Sequence, residues 1–161
     1  EMLYFAYGSN MSPGRMKSRC PTAQFLAVAK LADYRFDFTR KCQSGYGVMD
    51  AVQCAGDDVW GVVYQIDESD LGLLDKAEGY RPGRVTGKDA YKRIEVSVLR
   101  DGEESAPLTV WTYTVVEKSP KPIATSDDYK RLVVEGAQFW QLPKDYVNRL
   151  ENDIVTELHG P

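Results

Sequence analysis

Apolar runs and apolar–polar alternation over the first two-thirds of the chain predict β-strands. Residues 2–7 form a continuous apolar run that stops at Gly8, which indicates a buried strand followed by a tight turn. Residues 34–39 alternate between aromatic and polar side chains, as half-buried strands do. Further strands are predicted over 25–31, 48–54, 59–66, 94–100 and 108–116, with turns at 55–58 and 101–102. Six or seven strands favour a curled sheet or a small barrel.

Helical spacing of apolar residues occurs mainly later in the chain. It covers residues 67–77, residues 127–141 and the segment after Pro143. Thr125 and Asp128 have the spacing of a capping box for the second of these helices. In the last segment the residues that recur every four positions are Tyr146, Leu150, Ile154 and Leu158. We therefore expect an α+β fold: a small mixed β-barrel with flanking helices, forming one domain over residues 1–161.

The composition is that of an ordinary globular domain. The chain has 161 residues, 43% hydrophobic and 27% charged, which is enough to bury a core. Its net charge of −4 argues against a nucleic-acid backbone as the main partner. No apolar run is long enough to span a membrane, and no signal peptide is visible, so we expect a cytoplasmic protein with no membrane partner.

The cysteine and histidine content limits the available chemistry. Cys20, Cys42 and Cys54 share no metal-binding spacing, so we expect reduced thiols and no metal site. The one histidine, His159, lies near the chain end. A catalytic triad that used it would depend on a chain terminus, and termini tend to fray. No phosphate-binding or dinucleotide-binding motif occurs, so no cofactor is expected. A carboxylate, a tyrosine or the backbone must carry any proton transfer.

The turn after the first strand is one candidate site. Gly8 permits backbone torsions and close approaches that a Cβ would prevent. If a helix begins at Met11 or Ser12, its first N–H groups would point at whatever lies over the turn. Such a cluster suits a carboxylate or a developing oxyanion. The alternative is an ordinary turn in which Ser9 or Asn10 caps a helix.

Two side chains are further candidates. Glu78 ends the predicted helix over 67–77, where the helix dipole and apolar neighbours would raise the pKa of its carboxyl toward that of a general acid–base. Tyr129 lies in the first turn of a later helix, after a proline-containing loop that could form a pocket wall. The alternatives are a solvated glutamate and a packing tyrosine. Lys118 and Lys121 in that loop are expected to be solvated.

An ordered set of motifs resembles a known family. YFAYGSNM occupies residues 4–11, VWGVVY residues 59–64 and LDKAEG residues 74–79. Later matches, in the expected order, are Tyr91 before the strand at 94–96, YKR at 129–131, Gly136-Ala137 and Leu142-Pro143. Together they resemble the γ-glutamylcyclotransferase family over nearly the whole chain. Asn10 after Gly-Ser is similar to the branch that acts on γ-glutamyl amino acids.

The resemblance implies both a fold and a set of site residues. It implies a small β-barrel with flanking helices and the release of 5-oxoproline from γ-glutamyl compounds. The family's catalytic glutamate corresponds to Glu78, and its substrate-contacting tyrosine to Tyr129. Residues 80–90 look longer than the matching stretch of the animal enzymes, which predicts a different pocket mouth. The substrate-binding loop corresponds to Tyr4, Phe5, Ala6, Tyr7, Gly8 and Ser9.

The implied reaction suits the chemistry of the chain. The α-amine of the substrate attacks its own γ-carbonyl, so no protein nucleophile is needed and positioning supplies much of the acceleration. Glu78 would take a proton from the α-ammonium and later deliver one to the leaving amine. The turn at Gly8 would hold either the substrate carboxylate or the tetrahedral oxyanion.

Two other functions fit the same residues. One is a cyclotransferase that removes a γ-glutamyl protecting group from a larger biosynthetic amine. The other is a non-catalytic module that binds γ-glutamyl ligands, although binding alone has no need of a carboxylate at Glu78. Each takes a small γ-glutamyl molecule as its partner, and a homodimer is considered as the assembly.

Overall fold

The computed structural model describes residues 2–78, without the Glu78 side chain, and residues 91–157. The predictions that concern residues 80–90, Leu158 and His159 lie outside these described residues. The elements in chain order are β1 (Met2–Ala6), a 3₁₀ turn (Ser9–Met11), α1 (Pro13–Arg19), β2 (Gln24–Lys41), β3 (Gly47–Ile66), α2 (Glu68–Glu78), β4 (Tyr91–Arg100), β5 (Pro107–Val115), α3 (Asp127–Phe139) and α4 (Lys144–Asp153).

The described strands form a closed barrel in the order β1-β3-β2-β4-β5. Neighbouring strands are antiparallel except where β1 meets β5, which pair in parallel through Tyr4 and Trp111. Residues of β1 and β3 with no exposed surface, Phe5 and Val63 among them, fill the core. The predicted α+β fold, a small mixed barrel with flanking helices, is confirmed.

The sequence predicted too many strands, because two pairs of predicted strands are each a single long strand in the structure. β2 runs through the predicted break near Asp33, whose φ is 64°. The hairpin predicted at 55–58 was wrong, since β3 continues through it and keeps β2 as its partner on both sides. Gly56, with φ of 87°, lies in a bulge opposite Asp33 and donates its N–H to the Asp33 carboxylate at 3.0 Å. In this pair of strands the glycine and the aspartate form a bulge. The sequence of such a bulge resembles the sequence of a turn.

The helices lie on the predicted segments, with two corrections. Helix α4 ends at Asp153, and Ile154 is extended and lies outside the helix that its spacing predicted. The second correction concerns a cap. The hydroxyl of Ser126 accepts the Tyr129 N–H at 3.0 Å, so Ser126 and not Thr125 caps α3. Thr125 is fully buried and donates its hydroxyl to the Gly47 carbonyl at 2.6 Å. The capping box predicted from Thr125 and Asp128 was therefore wrong, because the capping residue lies one position later. In the part of the chain that is described, no helix is long and apolar enough to cross a membrane.

Helix α3 is fixed directly onto the turn that follows β1. A Cβ at Gly136 would lie 2.6 Å from the Met11 carbonyl carbon, so only glycine allows this approach of helix to backbone. The Trp140 indole N–H donates to the Met11 carbonyl at 2.8 Å. These two contacts hold the C-terminal half of α3 against the turn, and Tyr129 lies in the first turn of the same helix.

Lys118 is exposed, as the sequence predicts, and its ammonium also pairs with a buried carboxylate. Its ammonium lies 2.7 Å from Oδ2 of Asp50, which has no exposed surface. The same carboxylate accepts the Thr39 hydroxyl at 2.8 Å and the Val115 N–H at 3.0 Å. A buried charge needs such partners, and Lys118 supplies the opposite charge.

Candidate active site

A cavity of about 410 Å³ opens where β1 ends. This volume lies in the range of small-molecule sites, about 300–1,000 Å³. The turn after β1, the end of α2 and the start of α3 meet at its wall. The sequence-predicted residues that line it are Tyr4, Tyr7, Gly8, Ser9 and Tyr129.

The turn at the cavity wall presents backbone donors. The Met11 N–H donates to the Gly8 carbonyl and the Ser12 N–H to the Ser9 carbonyl, both at 3.1 Å. The N–H groups of Ser9 and Asn10 come first in the turn and so have no acceptor within it. Both residues line the cavity. Donors in this position suit an anionic group.

Gly8 is required by a close approach and not by an unusual torsion. Its φ of −116° is open to any residue. A Cβ built at Gly8 would lie 3.2 Å from the Tyr129 hydroxyl oxygen and 3.5 Å from Cβ of Met49. The predicted role in close packing therefore holds, and the partner is the other candidate residue, Tyr129.

Tyr129 joins the cavity wall to the barrel. Its hydroxyl oxygen accepts the Met49 N–H at 3.1 Å, and its side chain is buried. Its ring stands edge-on to Phe38, with ring centres 6.0 Å apart. Sequence reasoning placed Tyr129 correctly on the first turn of a helix, but the bond to Met49 has no local signal.

Phe5 and Ala6 do not lie at the cavity wall. Both are buried in the core, and they contribute to the site through the strand that carries it. The Phe5 carbonyl accepts the Thr112 hydroxyl at 2.7 Å. The Tyr7 hydroxyl donates to the Tyr113 carbonyl at 2.5 Å. These bonds fix the end of β1 against β5.

Asn10 belongs to the candidate turn, but the bonds of its side chain were not predicted. Its side-chain amide donates to the Tyr4 hydroxyl at 3.0 Å, and its side-chain oxygen accepts from Arg19 at 2.9 Å. Its carbonyl accepts the Tyr64 hydroxyl at 3.0 Å. Because Asn10 is held at three atoms, it fixes the conformation of the turn. Its partners lie far apart in the chain, so only its place after Gly-Ser marked it.

Helix α2 brings its C-terminal end to the cavity. Lys76 and Ala77 line the wall, and Glu78 is the last residue of the helix. The side chain of Glu78 lies outside the described part of the molecule. The buried carboxylate of Asp75 accepts the Tyr113 hydroxyl and lies 3.2 Å from the Arg93 guanidinium. These bonds tie the last turn of α2 to β4 and β5.

The described side chains at the wall give the cavity a positive character. The cations are Arg15, Arg19, Arg40 and Lys76, and no carboxylate is among the described lining side chains. Burial raises the pKa of the Tyr46 hydroxyl above its ordinary value, so Tyr46 enters the cavity as a neutral donor at assay pH. Among the side chains described, no group of three His, Cys, Asp or Glu residues could hold a metal ion.

Comparison with known proteins agrees with this geometry. A family model described as the AIG2-like family matches residues 58–150. The chain is 36% identical over 155 residues to a γ-glutamylcyclotransferase of Homo sapiens, covering 92% of this chain and 77% of that protein. The chain belongs to the γ-glutamylcyclotransferase family.

Two further members of this family extend the match. A γ-glutamylcyclotransferase of Bos taurus is 35% identical over 164 residues, covering 98% of this chain and 81% of that one. A solved structure of a γ-glutamyl cyclotransferase superposes with a TM-score of 0.86 at 32% identity, covering 99% of this chain and 91% of that one. The likeness therefore covers both the barrel and the helices that build the cavity.

Proposed function

We propose that this chain is a γ-glutamylcyclotransferase that converts γ-glutamyl compounds to 5-oxoproline and a free amino acid or amine. The observation that carries the proposal is the joining of three motifs at one cavity: the turn after β1, the last turn of α2 and Tyr129. The names of relatives about 35% identical over most of the chain support the same activity.

The proposed reaction needs no nucleophile or water from the protein. The α-amine nitrogen of the γ-glutamyl group forms a bond to the γ-carbonyl carbon, and the bond from that carbon to the leaving nitrogen breaks. The α-nitrogen loses two protons, one before it attacks and one as it becomes the ring amide, and the leaving nitrogen gains two and departs as an ammonium, so atoms and charge balance. Glu78 is proposed to take a proton from the α-nitrogen as general base and to deliver it to the leaving nitrogen as general acid.

Binding and orientation are assigned to the rest of the wall. The N–H groups of Ser9 and Asn10 are proposed to bind the α-carboxylate or the developing oxyanion. Tyr4, Tyr7 and Tyr129 are proposed to hold the γ-glutamyl chain folded toward ring closure. We place the enzyme in the reducing cytoplasm, on the ground that its three cysteines are free thiols.

The test measures 5-oxoproline released from γ-glutamyl dipeptides, glutathione and γ-glutamyl-lysine. We expect turnover by the unmodified chain and a loss of at least ~100-fold in kcat for Glu78→Gln, which keeps the shape but cannot accept the proton. Glu68→Gln is the matched control, because Glu68 is exposed at the other end of the same helix. Binding of γ-glutamyl ligands without product would overturn the enzymatic proposal. Near-normal kcat in Glu78→Gln would remove Glu78 as the base.

A further inference from the structure

Asp50 is a buried carboxylate that the proposed reaction does not use. It has no exposed surface, and it is not one of the described residues that line the cavity. Its Oδ1 accepts the Ala51 N–H at 2.9 Å and the Val115 N–H at 3.0 Å. Its Oδ2 accepts the Thr39 hydroxyl at 2.8 Å and the Lys118 ammonium at 2.7 Å. One side chain therefore joins β2, β3, β5 and the segment that follows β5.

The segment that follows β5 leads from Asp50 to Tyr129. Residues 116–126, the connecting segment, join β5 to α3. Near its start, Lys118 pairs with Asp50, and a buried carboxylate keeps such a cation close because separation would leave its charge unpaired. At its end, the Ser126 hydroxyl accepts the Tyr129 N–H at 3.0 Å and caps α3. The anchored segment therefore fixes the point at which Tyr129 joins the cavity wall.

Tyr129 also bonds to the residue next to Asp50. Its hydroxyl accepts the Met49 N–H at 3.1 Å. The pairing of β2 with β3 passes over Thr39 at this point, so Thr39 forms a bulge, and its buried hydroxyl donates to Asp50. The bonds of Asp50 thus hold the β3 backbone at the position whose N–H bonds to Tyr129.

We propose that Asp50 is a positioning residue that acts through Tyr129. Through Lys118 it fixes the segment that leads into α3, and through the β3 backbone it fixes the N–H that the Tyr129 hydroxyl accepts. A small displacement of a residue that orients the substrate lowers the rate of ring closure, because the reacting atoms then meet less often in the right geometry. This inference rests on the proposed cyclotransferase activity, in which Tyr129 holds the γ-glutamyl chain.

The first test removes the cation that Asp50 holds. Lys118→Met should lower kcat on γ-glutamyl-alanine by about 10-fold and change KM less. Lys118→Arg restores a positive charge beside the carboxylate and should recover most of the rate. Lys121→Met is the matched control, because Lys121 is an exposed lysine of the same segment without an ion pair among the described residues. Its kinetics should stay normal, and normal kinetics in Lys118→Met as well would overturn the proposal.

A double variant distinguishes positioning of Tyr129 from general loosening of the fold. In Tyr129→Phe the hydroxyl that Asp50 positions is already absent, so adding Lys118→Met should lower kcat/KM by less than about 2-fold. Losses of equal size with and without the hydroxyl would show a structural role alone and would overturn the proposal. Where Lys118→Met does not fold, Thr39→Val takes its place, because it removes one bond to the same carboxylate. It should give the same pattern with a smaller loss.

Hydrogen exchange of the Met49 N–H, followed by NMR, measures the same contact without turnover. In Lys118→Met this amide should accelerate at least about 10-fold more than the Val63 N–H, which lies in the core on the same strand. Equal acceleration of the two amides would mean global loosening and would overturn the positioning role. No 5-oxoproline from the unmodified chain would overturn the proposed activity, and the exchange rates would still decide whether Asp50 holds the Tyr129 contact in place.

Discussion

At the scale of single residues, the cavity wall contains a close approach between two residues from distant parts of the chain, the Gly8 backbone and the Tyr129 hydroxyl. Gly8 ends the strand segment and Tyr129 begins a late helix, yet a Cβ at Gly8 would lie 3.2 Å from the Tyr129 hydroxyl. That separation is tighter than an ordinary van der Waals contact, and the same hydroxyl is held by the Met49 N–H at 3.1 Å. The hydroxyl therefore has little room to give.

Replacing Gly8 with alanine should lower activity through this contact. Gly8→Ala would push the Tyr129 hydroxyl by a few tenths of an ångström, and a misplaced site residue of this kind should lower kcat/KM by about 10-fold. Steady-state kinetics on γ-glutamyl-alanine checks the effect, and thermal unfolding checks that the protein is folded.

Gly14→Ala is the control for the substitution of glycine by alanine. Gly14 lies in α1 with no heavy atom within 4 Å of a built Cβ. Its replacement should leave kinetics unchanged and stabilise the helix by about 0.5 kcal/mol. Unchanged kinetics in Gly8→Ala as well would show that the contact has no role in the site.

At the scale of elements, α2 is fastened to the barrel at both ends by aspartates. Asp75 in its last turn accepts from Tyr113 and Arg93, on β5 and β4. Asp70 in its first turn accepts the Thr22 N–H at 3.1 Å, from the loop before β2. Asp75 pairs with a guanidinium and a hydroxyl, whereas Asp70 accepts one backbone N–H. Only Asp75 lies near the cavity, three residues before Glu78.

Loss of the Asp75 carboxylate should therefore affect both stability and catalysis. Asp75→Asn removes the charge that Arg93 and Tyr113 share, which should cost about 2–3 kcal/mol in the free energy of unfolding. Because Asp75 positions the helix end without touching substrate, kcat should fall more than KM changes. Urea unfolding and steady-state kinetics measure the two effects.

Asp70→Asn supplies the comparison for this element. It also loses one bond that holds α2, so some loss of stability is expected, but kcat should stay normal because the far end of the helix is still fixed. Equal kcat losses in both variants would mean that general loosening of α2, and not the position of its last turn, sets the rate.

The elements also show which features local sequence could predict. The strand segments and the helices over 68–78 and 127–139 have periodic apolar faces, and these faces determined their prediction. The continuity of β3 did not follow, because Gly56 and its neighbouring aspartates give the same local signal in a turn and in a bulge. Only the pairing of β3 with β2 on both sides of Gly56 decides between them.

The site was predictable to the extent that each part carries its own local signal. Gly8 follows an apolar run and Tyr129 begins a helix, so both were found from sequence. The side-chain bonds of Asn10 were not, because they join elements that meet only at the cavity wall. These elements come together because the barrel closes, with β1 paired to β5 more than 100 residues away in the chain.

At the scale of the whole molecule, burial of tyrosines makes the free energy of unfolding depend on pH. Tyr64 in β3 and Tyr146 in α4 are each 3% exposed. Burial raises the pKa of both hydroxyls well above the ordinary value of 10.0. In the unfolded chain the same groups are solvated and ionise near pH 10. The folded state therefore keeps protons that the unfolded state has lost at alkaline pH.

This difference should make the free energy of unfolding fall as pH rises above about 10. Below that pH both states hold the same tyrosine protons, so these groups give no pH dependence. Above it the unfolded state binds fewer protons, and each buried tyrosine lowers the free energy of unfolding by up to about 1.4 kcal/mol per pH unit. Urea unfolding followed by tryptophan fluorescence between about pH 8 and 11.5 measures the slope.

Tyr146→Phe removes one of these two hydroxyls and keeps every other group that titrates in this pH range. The Tyr146 hydroxyl is buried and makes no hydrogen bond of good geometry in the described molecule, although a Trp60 backbone group lies near it, so its removal should change stability near pH 8 little. The unmodified chain and the variant share all other groups, including the Lys118–Asp50 pair, so the difference between their curves reports Tyr146 alone. The curves should run together below pH 10 and diverge above it, with the variant the more stable. Parallel curves throughout would mean that Tyr146 ionises alike in the folded and unfolded chain, contrary to the burial of its side chain.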